Sequence, residues 1–142
     1  MDYMNYAQIT GEIRKRALEM FLASQSTHIG SSLSIIDILT VLYYKILSID
    51  PNNPDDSERD RFILSKGHAI AALYATLAQR GFFPREDLKK YCKEGEKLFA
   101  HSTKSSVPGV EVSTGSLGHG LPIGIGMALV AKNDNKKHKV FV

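Results

Sequence analysis

The placement of two short apolar runs constrains this fold most. Arg61-Phe62-Ile63-Leu64-Ser65 follows a polar loop, and Lys139-Val140-Phe141-Val142 ends the sequence. Both read as strands, and helical patterns lie before and between them. Strands alternating with helices predict an α/β fold in which a parallel sheet is covered on both faces. Ligands of such sheets bind beyond the carboxyl ends of the strands. The sequence stops inside the second strand, before the loop where that chemistry is expected. Residues 1–142 therefore read as a fragment of a larger unit.

The helices follow from spacing. Ile9, Ile13, Ala17, Met20 and Phe21 predict an amphipathic helix over 6–24. Ser24 to Ser34 reads as a polar loop, with Ser34 and Asp37 capping the next helix. That helix carries an apolar stripe of Ile35, Ile38, Leu39, Leu42 and Ile46. Pro51 and Pro54 open an acidic loop. A helix with Leu73, Tyr74 and Leu77 is expected to stop at Gly81. Pro84 to Lys93 predicts a short helix, and Glu94 to Ser113 an irregular stretch with Val110-Glu111-Val112 extended. Ser113-Thr114-Gly115-Ser116-Leu117-Gly118-His119-Gly120 opens a helix to about Lys132, along which Gly120, Gly124 and Ala128 permit close packing.

Composition removes several function classes. Hydrophobic residues make up 43% and charged residues 23%, enough for a core. The net charge of +3 is mild, and Lys89-Lys90 and Lys136-Lys137 read as solvated surface, so no nucleic-acid partner is expected. No run reaches the roughly 18 apolar residues of a membrane span, and no signal peptide is visible, so no membrane partner is expected. The lone Cys92 excludes an internal disulfide and fits a reducing, cytoplasmic compartment; it is expected to be buried beside Leu88.

Four histidines, His28, His68, His101 and His119, stand beside glycine or another small residue in predicted loops. Imidazole donates and accepts hydrogen bonds and moves protons near neutral pH. They either share a ligand or are separate loop histidines. Gly67-His68, at a strand-to-helix turn, suits a phosphate. The segment Gly115–Gly120 is neither a P-loop nor a dinucleotide fingerprint. Its glycines let a flat ring or another chain segment lie on the backbone, or simply pack a helix. Ser65, Ser113, Thr114 and Ser116 lack a nucleophile elbow. No His-x-x-x-His occurs, and Asp55, Asp56, Glu58 and Asp60 read as a solvated loop, so no metal ligand is assigned.

Taken together, Ser26-Thr27-His28-Ile29-Gly30-Ser31-Ser32-Leu33-Ser34, Asp60-Arg61-Phe62-Ile63-Leu64-Ser65-Lys66-Gly67-His68-Ala69, His101, and Pro108 through Leu121 resemble, in the same order, the N-terminal diphosphate-binding domain of thiamine-diphosphate-dependent transketolases. The likeness is nearest to the form made of two polypeptides. It implies a three-layer α/β/α thiamine-diphosphate-binding fold. The implied activity is transfer of a two-carbon ketol unit from a ketose phosphate to an aldose phosphate. The resemblance gives His28 and His101 contacts to the reacting sugar as catalytic residues. It gives His68 a contact to the cofactor diphosphate, Gly115 a backbone contact to the aminopyrimidine, and Leu117 an apolar wedge beneath the cofactor. The implied cofactors are thiamine diphosphate and Mg²⁺ or another divalent cation. The implied partner is a C-terminal, pyrimidine-binding subunit in a dimeric assembly.

Ile29 and Lys66 stand where single-chain transketolases often carry Pro and Asn, which fits the split branch. Ser102 and His119 stand where Pro and Gln are common. The family's Gly-Asp-Gly metal motif would follow Val142, and the glutamate that activates the cofactor belongs to the pyrimidine half, so this chain alone is expected to be inactive. The alternatives are another thiamine-diphosphate enzyme, such as deoxyxylulose-phosphate synthase, or a non-catalytic remnant.

Overall fold

A computed structural model describes residues 3–142. Its elements are α1 (Tyr3–Ser24), α2 (Ile29–Leu33), α3 (Ile36–Val41), β1 (Arg61–Phe62), α4 (Ile70–Arg80), α5 (Gly120–Asn133) and β2 (Val140–Phe141). A π-helical turn, Leu42–Ile46, extends α3, and 3-10 turns cover Gly67–Ala69 and Arg85–Lys90. The two strands pair in parallel, Arg61 with Val140 and Phe62 with Phe141. The Arg61 amide donates to the Lys139 carbonyl at 2.8 Å and the Ile63 amide to the Phe141 carbonyl at 2.9 Å.

Side chains alternate across a strand, and this builds three layers. Phe62 and Leu64 join the main core of α1, α3 and α4, and Phe141 packs against it. Ile63, Val140 and Val142 face Gly124 of α5 on the other side. A Cβ on Gly124 would lie 2.5 Å from Val142 Cγ2, so α5 sits close to the sheet only because residue 124 has no side chain. Of the predicted small-residue face, Gly120 and Gly124 are buried but Ala128 is exposed; Ala131 takes its place.

Helix α4 is central, with every residue from Ile70 to Ala78 buried. It stops at Gly81, whose φ of +98° lets its amide reach back to Leu77 and Ala78. Helix α1 lays Ile13, Ala17, Met20 and Phe21 into the core, and Arg16 Nε donates to Gln79 Oε1 of α4 at 3.2 Å.

Several local expectations are corrected. The loop after α1 contains α2. Ser34 does not cap α3: Ile35 holds that position, Ser34 Oγ donates to the Ser31 carbonyl, and Asp37 pairs with Arg14. The buried face of α3 and the turn after it is Ile36, Leu39, Thr40 and Tyr43, at ordinary helical spacing, while Ile38 and Ile46 are exposed; the face is offset from the predicted stripe because Ile36, not Ile35, opens the helix and turns Thr40 inward. Cys92 is exposed, at φ +57° beyond the 3-10 turn, so it leaves the face shared with Leu88. Contrary to the expectation that no segment reaches membrane-span length, residues 29–46 are long and apolar enough, by composition, to cross a membrane. Here they divide into α2, α3 and the π turn, and their Ile36, Leu39 and Tyr43 belong to the core.

Asp60 is not a solvated loop residue but the tie between three segments. It is buried; its carboxylate accepts from the Ser48 amide at 2.9 Å and the Lys139 amide at 2.7 Å. Leaving a buried donor without its acceptor costs about 1–3 kcal/mol. Asp60→Ala should therefore lower the urea-unfolding free energy by at least that much. Asp60→Asn, which keeps one acceptor oxygen, should lose less. Equal stability of all three proteins would refute this role for the carboxylate.

Candidate active site

Three of the predicted histidines converge just beyond the carboxyl end of β1. His28 precedes α2, His68 sits in the 3-10 turn after β1, and His101 lies on the irregular stretch before α5. Ring centroids are 4.8 Å apart for His28 and His68, 5.2 Å for His28 and His101, and 4.7 Å for His68 and His101. The rings meet edge to face, at 72° to 74°. His28 and His68 are half-buried, and His101 is exposed.

The backbone under the rings is tied from several sides. Ser31 Oγ donates to the His28 carbonyl at 2.9 Å and lies 3.3 Å from the His68 carbonyl, so one hydroxyl bridges two of the three histidine backbones. The His101 loop is held by Ser102 and Thr114. The Thr114 amide donates to the Ser102 carbonyl at 3.0 Å, and Ser102 Oγ to the Val112 carbonyl at 2.8 Å. Thr114 Oγ1 donates to the Leu64 carbonyl at 2.6 Å, anchoring the loop to the end of β1. The sequence pattern presents Thr114 only as a rejected nucleophile and gives Ser31 no role. Their work is hydrogen bonding across long stretches of chain, for which no local spacing is a signal.

Glycine makes this approach possible. A Cβ on Gly67 would lie 2.6 Å from the Thr114 carbonyl carbon, and one on Gly120 would lie 2.6 Å from Ser65 Cα. The glycine-rich segment therefore packs backbone to backbone against the end of β1. Gly115 differs: a Cβ there would meet only His101 Cδ2, at an ordinary 3.7 Å. Its backbone is thus next to the histidine cluster without being filled by another chain segment. Leu117, on the same loop, is 70% exposed. His119 precedes α5 as an exposed residue and lies outside the cluster of three.

The electrostatics favour a neutral ring at His101. The His101 pKa falls below its ordinary 6.5, first because partial burial disfavours charge and then because His68 and His28 repel a second cation. A lowered folded-state pKa means that the unfolded chain binds more protons just below 6.5, so stability rises with pH through that window. A neutral imidazole offers one donor and one acceptor, which matches a hydroxyl group. His28 Nδ1 is buried and has no hydrogen-bond partner, so the cluster has unused polar capacity facing inward.

The sequence and fold agree with known proteins. Residues 6–140 match the family described as the transketolase, thiamine diphosphate binding domain. The chain belongs to this family. It is 45% identical over 129 residues to one subunit of the apulose-4-phosphate transketolase of Phocaeicola vulgatus, covering 91% of this chain and 46% of that protein. It is 42% identical over 129 residues to the 6-deoxy-6-sulfo-D-fructose transketolase subunit SqwG of a Clostridium species, covering 91% and 47%. A transketolase from Campylobacter jejuni superposes with a TM-score of 0.90 at 34% identity, over 99% of this chain and 23% of that one. The chain spans about half the length of these curated relatives.

Two outcomes check the geometry. The His101 ring resonances should titrate with a midpoint below 6.5, and the midpoint should move up in His68→Ala; a midpoint at 6.5 in both proteins would contradict the coupling. Gly67→Ala should destabilise the chain by roughly 1–3 kcal/mol, since the Thr114 backbone must give way. It should also shift the His101 amide resonance.

Proposed function

We propose that this chain is the thiamine-diphosphate-binding part of a transketolase-type transferase, one that moves a two-carbon ketol unit from a ketose phosphate to an aldose phosphate. The observation that carries this reading is the convergence of His28, His68 and His101 beside Gly115 and beyond the end of β1. The fit of the cofactor rests on two features beside the three rings: the unpartnered, buried His28 Nδ1, and a Gly115 backbone whose Cβ position meets only His101 at ordinary contact distance. Both suit a polar ligand with a flat ring. The names of the relatives above favour transketolase over deoxyxylulose-phosphate synthase.

In this reading His28 and His101 hold the hydroxyls of the donor sugar. An imidazole in its neutral form accepts from one hydroxyl and donates to another oxygen, which orients the substrate and gives a departing proton a place to go. His68 donates to the diphosphate. The Gly115 backbone meets the aminopyrimidine, and exposed Leu117 supplies apolar support to the cofactor. When bound, the cofactor supplies the electron sink for carbon–carbon cleavage. The protein's contribution is to fix the rings: Ser31 and the Ser102–Thr114 pair hold them in place before any ligand arrives.

A diphosphate carries several negative charges, which imidazole rings alone do not balance. A divalent cation such as Mg²⁺ would do so, but it takes hard oxygen ligands and the trio supplies only nitrogen. We assign its ligands outside the described residues. Both curated relatives above carry the name of one subunit within a transketolase, which favours a second polypeptide here as well. We propose that a pyrimidine-binding subunit completes the site in a dimeric assembly. The sugars in the names of those relatives carry phosphate or sulfonate, so a ketose with a terminal anionic group is the substrate class we assign here.

The test is ketol transfer by the chain assembled with its partner subunit. His28→Ala and His101→Ala should each lower kcat/KM for the donor ketose about tenfold or more, since a lost polar contact costs on the order of 1–3 kcal/mol. Affinity for thiamine diphosphate should change little. A large loss of cofactor affinity in either variant would place that histidine against the cofactor instead.

A further inference from the structure

We propose that His28, His68 and His101 also form a transition-metal site, taking one Zn²⁺ ion through three imidazole nitrogens when no organic ligand fills the cleft. Each residue offers a ring nitrogen, and the three nitrogens lie within 4.8 Å of one another. In a tetrahedral zinc site, with Zn–N near 2.0–2.1 Å, donor nitrogens stand roughly 3.4 Å apart. Closing that gap takes ring rotation, not backbone movement. His101 has the room, being exposed on its loop, while the His28 and His68 backbones are already bridged by Ser31.

Three further features fit an ion. The rings are edge to face, so their nitrogens can turn toward one centre, which stacked rings cannot do. His28 Nδ1 is buried without a partner, so one nitrogen of the trio is unspent. The open side at His101 leaves a fourth position for water, the arrangement of an exchangeable site. Ligand type sets the selectivity. Imidazole suits Zn²⁺, Cu²⁺, Ni²⁺ and Co²⁺, and no carboxylate belongs to the cluster, so Mg²⁺ should not compete. No motif announces the site, because its ligands come from three separate segments that meet only in the fold.

The consequence for activity rests on the function proposed above. A metal ion there occupies the nitrogens assigned to the sugar and the diphosphate, so Zn²⁺ and those ligands exclude one another.

The test begins with direct binding, without cofactor or sugar. The full chain, stripped with chelator, is titrated with Zn²⁺ against a chromogenic chelator, and with Co²⁺ followed by its visible absorption. One ion per chain is expected, with an intense low-coordinate Co²⁺ band and no displacement by excess Mg²⁺. His101→Ala, at the exposed position, should weaken binding at least tenfold and abolish the band, with an unchanged far-UV circular dichroism spectrum. His119→Ala and His138→Ala, outside the trio, should bind like the parent. Binding unaffected by His101→Ala and His68→Ala, or lost equally in His138→Ala, overturns the proposal. Inhibition of ketol transfer in the complete assembly is measured separately. Tight Zn²⁺ binding by the trio without inhibition would support the metal site and refute the assignment of these rings to substrate.

Discussion

The site depends on a place where no side chain can stand. The Thr114 backbone occupies the space that a Cβ on Gly67 would need, and Thr114 Oγ1 is bonded to the Leu64 carbonyl at the end of β1. This one approach brings the chain before α5 to within reach of the turn after β1. It sets His101 opposite His68, and it lays Gly115 beside His101. A methyl group at residue 67 would push these two segments apart and remove the third ring from the cluster, although none of the three histidines would have changed. Gly120 against Ser65 repeats the device one helical entry later. Close backbone contact of this kind has no hydrophobic driving force of its own. It is held by the hydrogen bonds of Ser102 and Thr114 and by the packing of α5 on the sheet.

The strands, the central helix α4 with its Gly81 stop, and three of the four flagged histidines are legible in the sequence because each rests on a local signal. Apolar runs, helical spacing and glycine at a helix end are read over a few residues. What is not legible rests on distant partners. Asp60 looks like its acidic neighbours, and only the Ser48 and Lys139 amides distinguish it. Ile38 matches a helical stripe as well as Leu39 does, and only the packing of α3 on the core selects the face of Ile36, Leu39 and Thr40. Cys92 would share the face of Leu88 only on a helix that continued, and the turn stops at Lys90. His119 shares the glycine-rich setting of the others, yet it begins α5 and faces solvent. Glycine neighbours mark where a ligand can approach but not which ring will point at it.

Imidazole chemistry decides what such a cluster can serve. Each proton added to closely packed rings raises the cost of the next, and His101, partly buried and facing His68 and His28, has its pKa lowered accordingly. An imidazole in its neutral form offers a donor and an acceptor to hydroxyl groups, a donor to a phosphate oxygen, or a lone pair to a borderline metal ion. Lys66, two residues before His68, donates to Ser34 Oγ at 2.8 Å and brings a fixed positive charge to the same turn.

The outer face of α5 bears on the same point. Leu121, Ile125, Leu129 and Val130 are exposed along a helix whose inner face already packs Gly124 on the strands. Contiguous apolar exposure on this scale is unusual for a free surface. Helix α5 starts at Gly120, so its N-terminus lies at the site while its flank is uncovered. Whatever covers that flank packs against the helix whose first residue, Gly120, is set on Ser65 beyond β1, so the uncovered apolar face and the Gly120–Ser65 contact belong to one element, which the segment carrying Gly115 and Leu117 enters.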